Sequence, residues 1–177
     1  RLASHKGLDL VVQMAERLLA EQDVQLVVLG KGEAGFESFF SELEKRFPNK
    51  MRALICYDRD LSKRIYAATD IFVMPSRSEP CGLSQMIASR YGAVPVVRET
   101  GGLYDSIKPY YEKDGELHGN GFTFAGYSAD ELYDRVCAAI SLYHQKEKWQ
   151  SFTAKVMRTD FSWSASAKKY LEMYGEL

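Results

Sequence analysis

Strands and helices alternate along this chain, and that alternation constrains its fold more than any other feature. Apolar residues at 8, 11, 12, 15, 18 and 19 follow helical spacing and predict a helix from Gly7 to about Gln22. Gln25–Leu29 (QLVVL) is a short apolar run that stops at Gly30, as a buried parallel strand does. The same alternation recurs three times. A helix over about 34–47 precedes a strand at 52–56, one at about 60–68 precedes DIFVMP, and one at about 82–91 precedes VPVV at 94–97. Repeated βα units build a doubly wound α/β fold, a three-layer Rossmann-like domain on a parallel sheet. Such sheets bind ligands at the carboxyl ends of their strands.

Beyond that region the pattern loosens. Tyr110–Gly121 is polar and glycine-rich and reads as a loop, followed by a short strand at 121–124. Helices are expected at about 128–144, 146–157 and 162–174. With no repeats, linker or low-complexity tract, residues 1–177 read as one domain, long enough to bury roughly 70% of its unfolded surface. A net charge of −1 argues against a general nucleic-acid or membrane-surface binder, so any anion site needs a local cluster of cations. Cys56, Cys81 and Cys137 lie far apart in an odd count, which argues against structural disulfides and zinc and for a reducing cytoplasm. No apolar run approaches 18 residues. The chain opens on Arg1 and ends as abruptly, and is expected to be a piece of a longer polypeptide.

The chemistry concentrates between Pro75 and Asp105. Glu79 follows a strand end, and Cys81, Gly82, Leu83 and Ser84 open the next helix. Twenty residues on, a Gly-Gly turn at Gly101 and Gly102 faces the same region. A helix N-terminus offers unpaired backbone N–H groups and partial positive charge, so this layout suits a phosphate with a polar, sugar-like head beside it. Arg1 and Lys6 flank the first strand-to-helix loop. They clamp a diphosphate, or they are ordinary exposed loop charges. Glu79 either hydrogen-bonds sugar hydroxyls or caps the helix near Cys81. Cys81 acts through its backbone N–H, with a reactive thiol as the lesser reading.

The remaining candidates are weaker. Gly30 and Gly32 in LGKGE form a GxG without the third glycine, and no carboxylate ends the next strand; a tight turn explains them better than a nicotinamide dinucleotide site. Tyr57, just past a strand end, either stacks on a nucleobase or is a rim aromatic. Asp58 and Asp60 form a DxD but directly precede a helix, so capping accounts for them. His5, His118 and His144 are scattered and form no metal constellation.

RLASHKGLDLV, SRSEPCGLSQMIASRYGAVPVVRETGGLYDSI and FSWSASAKKYLEMY resemble the bacterial glycogen synthase and plant starch synthase family, across essentially the whole chain but only that family's C-terminal half. The resemblance implies two facing Rossmann-like domains, the C-terminal one holding the donor nucleotide. It implies glucose transfer from ADP-glucose to the non-reducing end of an α-1,4-glucan, with retention and without a metal or other cofactor. By motif, Arg1 and Lys6 match the pair at the donor phosphates, and Glu79 the carboxylate near the donor glucose. Cys81, Gly82, Leu83 and Ser84 match the helix start at glucose and phosphate, and Tyr57 the aromatic near adenine. The setting implied is a bacterial cytoplasm, or a plastid in a plant. The second glutamate of the broader retaining transferases is absent, since Ile87 holds its position. The family's N-terminal, acceptor-side domain and the strand expected just before Arg1 lie outside the chain, so the piece alone is expected to be inactive. The competing reading is a non-catalytic nucleotide-sugar-binding or regulatory module.

Overall fold

The structure, a computed structural model, describes residues 1–176. A single 3-10 turn, Ser4–Lys6, leads into α1 (Leu8–Glu21). Then come β1 (Leu26–Leu29), α2 (Ala34–Arg46), β2 (Met51–Leu54), α3 (Arg59–Ala68), β3 (Ile71–Met74), α4 (Ser84–Tyr91) and β4 (Val94–Arg98). A short helix α5 (Gly101–Ser106) and a hairpin of β5 (Tyr111–Lys113) and β6 (Glu116–His118) precede β7 (Phe122–Phe124). The chain closes with α6 (Ala129–Tyr143), α7 (Lys146–Met157) and α8 (Trp163–Gly175). Every expected strand and helix is present, within a few residues of its expected bounds.

Three details differ from the sequence reading. The Gly-Gly segment opens a short helix, with Gly101 at positive φ and both glycines packed too closely on the 79–81 backbone for a side chain. The polar stretch after Tyr110 is a hairpin, β5 antiparallel to β6, turned by Asp114–Gly115, both at positive φ. Its alternation is masked by charged residues on an exposed ribbon. The parallel sheet is also in two pieces, β1–β2 and β3–β4–β7.

Residues 2–5 link the two pieces. The Leu2 amide donates to the Lys31 carbonyl and the Leu2 carbonyl accepts from Glu33, just past β1. On the other side the His5 carbonyl accepts from the Arg77 amide, just past β3, at 2.9 Å. The start of the chain therefore lies between the continuations of β1 and β3.

The core explains the layers. In β4, Val94, Pro95, Val96 and Val97 are all buried, as a strand covered on both faces requires. α6 and α4 both pack on β3 and β4, while α1 packs against α2 and α6, and α3 against α4. The main cluster joins α1, α2, α6 and α7 around Phe40, Leu43, Leu132, Phe152 and Val156. A smaller cluster of Met74, Val97, Leu103 and Ile107 seats α5 at the carboxyl end of the sheet. The candidate residues are brought to that end.

Candidate functional site

Lys6 enters the site because Gly7 turns the chain sharply between the 3-10 turn and α1. Gly7 has φ 73°, and a Cβ there would lie 1.9 Å from the Pro75 carbonyl oxygen. Only glycine combines that backbone with that approach. The close contact brings the start of α1 against the loop after β3, and the Lys6 ammonium meets the Glu79 carboxylate at 2.6 Å.

Glu79 is buried, 9% exposed. Its Oε2 accepts from Lys6 and, at 3.2 Å, from the hydroxyl of fully buried Ser76. Its Oε1 takes no hydrogen bond from the described residues and remains available to a ligand hydroxyl. No side chain among the described residues caps α4. The capping reading of Glu79 therefore fails, because Lys6 and Ser76 draw its carboxylate away from the helix.

The glycine pair lies directly behind this carboxylate. The Gly102 amide donates to the Glu79 carbonyl at 3.0 Å. A Cβ on Gly102 would stand 1.9 Å from the Cys81 carbonyl oxygen, so the two backbones touch with no room for a side chain. Gln85, fully buried on the first turn of α4, ties the same loop down. Its Nε2 donates to the Gly82 carbonyl at 2.9 Å and the Ser106 hydroxyl at 3.1 Å. Cys81 and Leu83 are exposed and Gly82 is buried at φ 73°. Helix α4 begins at Ser84, and the amides of Ser84, Gln85 and Met86 take no partner from the described residues. Those N–H groups lie at the positive dipole end of α4, where an anion is favoured.

Lys6, Glu79, the 81–84 helix start and Gly101–Gly102 thus converge. Arg1 and Tyr57 do not join them. Arg1 is exposed and forms no ion pair among the described residues, and Tyr57 is 88% exposed just past β2. Asp58 caps α3, accepting from the amides of Asp60 and Leu61, and Asp60 pairs with Lys63. Among the described residues, no three His, Cys, Asp or Glu side chains cluster closely enough to hold a metal ion.

The sequence reading missed Ser76, Gln85 and Arg98. Arg98 ends β4, and its Nη1 donates to the Arg77 carbonyl at 3.0 Å and reaches the Ser76 carbonyl at 3.5 Å. Its neighbour Tyr127 donates to Asp9 at 2.5 Å, and the Arg77 guanidinium lies 4.4 Å from the Tyr127 ring centre. Burial and the bond to Asp9 push the Tyr127 hydroxyl up, while Tyr127 raises the Arg77 guanidinium. A charged residue at the carboxyl end of a buried strand is the signal that marks Arg98.

The model for glycosyl transferases group 1 matches residues 1–156. A glycogen synthase from Bacillus licheniformis is 50% identical over 98% of this chain, and one from Bacillus subtilis is 49% identical over all of it. The chain spans 36% of the length of each. The catalytic domain of starch synthase IV from Arabidopsis thaliana, solved with ADP and acarbose, superposes with a TM-score of 0.84 at 38% identity. That match covers 99% of this chain and 36% of the other. No helix among the described residues is long and apolar enough to cross a membrane.

Proposed function

This chain belongs to the glycosyl transferases group 1 family, and from that premise we propose that it is the donor-binding domain of a glycogen or starch synthase. In this reading residues 1–177 form the nucleotide-sugar half of a two-domain enzyme. That enzyme transfers glucose from ADP-glucose to the non-reducing end of an α-1,4-glucan with retention. The ADP in the starch synthase relative and the glycogen synthases at about half identity support the donor and the reaction. The bacterial sources of those synthases favour a bacterial cytoplasm over a plastid.

One observation carries the reading: the Lys6–Glu79 pair at 2.6 Å beside an uncapped helix N-terminus. Cleaving a glycosyl–phosphate bond builds negative charge on the departing diphosphate and positive charge on the sugar. Lys6 and the free amides at Ser84–Met86 are set to stabilise the first, with no metal required; Arg1, exposed and apart from them, is proposed as a second phosphate contact. Glu79, fixed through Oε2, keeps Oε1 for a glucose hydroxyl and places negative charge near the second. The departing phosphate accepts the proton of the attacking hydroxyl, so this domain needs no base of its own. In this reading Tyr57, exposed past β2, serves as the adenine platform and Gly101–Gly102 as the backbone wall. The acceptor glucan meets the opposing domain, so the chain alone binds the donor without transferring glucose.

Calorimetric titration with ADP and UDP, repeated on Lys6→Ala, tests the reading. The expected result is ADP bound in preference to UDP, with affinity falling roughly tenfold or more in the variant. Binding unaffected by Lys6→Ala, or robust glucosyl transfer by this chain alone, overturns it.

A further inference from the structure

Lys6 and Glu79 reach the site from two separate loops, and both loops are held from behind by one pair of side chains. Arg98 donates to the carbonyls of Ser76 and Arg77, immediately before Glu79. Its Nε is buried and takes no partner among the described residues. Its guanidinium carbon lies 5.4 Å from the Tyr127 ring centre, and that of Arg77 lies 4.4 Å from the same centre. The Tyr127 hydroxyl binds Asp9 on the first turn of α1, three residues after Lys6, and Asp9 faces the Arg77 guanidinium at 3.8 Å. Tyr127 therefore touches the Glu79 loop through Arg77 and the Lys6 segment through Asp9. A third link, from the Arg77 amide to the His5 carbonyl, lies between them.

We propose that Arg98 and Tyr127 are positioning residues, a brace that sets the Lys6–Glu79 pair by holding the two loops that carry it. The proposal rests on the donor-site reading for its functional consequence. Stacking and charge-assisted hydrogen bonds explain how it works: each contact is modest alone, and together they over-determine the two loops. A displacement of about 1 Å at such a pair weakens the complex strongly.

The test uses Arg98→Met, Tyr127→Leu and the milder Tyr127→Phe, which keeps the ring and removes only the bond to Asp9. Amide hydrogen exchange is read at Arg77, whose N–H donates to His5, and at Gly102, whose N–H donates to Glu79, with Val96 in the core as the reference. Arg98→Met and Tyr127→Leu are expected to speed exchange at Arg77 and Gly102 by roughly tenfold, leaving Val96 unchanged. ADP affinity, measured by calorimetry, falls by about tenfold in the same two variants and less in Tyr127→Phe. Exchange that is unchanged, or that rises at all three amides together, overturns the brace. So does local loosening that leaves ADP affinity intact, because the contacts are then only structural. A wild-type chain that binds no ADP removes the donor reading instead. The brace is then decided by exchange at Arg77 and Gly102 against Val96.

Discussion

Lys6 and Glu79 are 73 positions apart in the chain and 2.6 Å apart in space, and glycines make that possible. Gly7 admits Pro75, and Gly102 admits the Cys81 carbonyl. Gly102→Ala is expected to destabilise the fold by at least about 1 kcal/mol, since a methyl cannot share the space of a carbonyl oxygen. Thermal unfolding of the variant measures it; an unchanged midpoint would show that the loop yields freely. The sequence made Lys6 and Glu79 visible because charge beside a strand end is readable. It hid their pairing, since nothing in a linear string states which loops meet. Ser76 escaped notice for a related reason: a serine after an apolar strand looks like an ordinary loop residue until a carboxylate is seen on it.

At the scale of elements, α3 and α4 differ in a way that bears on function. Asp58 satisfies two amides at the start of α3, and Asp58→Ala is expected to cost about 1 kcal/mol, checked by denaturant unfolding. No side chain among the described residues does the same for α4. A helix start left open beside a cation and a buried carboxylate suits an anionic ligand, so the missing cap fits the proposed donor site. Most elements were legible because burial forces a period of 3.6 or 2 on the apolar residues. The β5–β6 hairpin was not, because all three residues of β5 are exposed and carry no such imprint. Helix α5 was hidden by glycines, which read as a turn until tertiary contacts wind them.

On the scale of the whole molecule, β1 and β3 each keep an edge unpaired among the described residues, with residues 2–5 bonded to the chain beyond both. Fusing a short apolar β-strand immediately upstream of Arg1 is expected to fill that slot, raise the unfolding temperature and slow amide exchange along β1 and β3. No change in either would mean that the two pieces are self-sufficient. The sequence by itself determined the α/β class, the parallel strands and the family, because periodicity and a long ordered motif are local records. Tertiary structure alone decided that Lys6 binds Glu79 and that Glu79 is no helix cap. It also decided that Arg1 and Tyr57 stay in solvent and that Arg98 and Tyr127 stand behind the pair. Those outcomes depend on which backbones approach within van der Waals contact, a property of the packed chain that no stretch of its sequence carries.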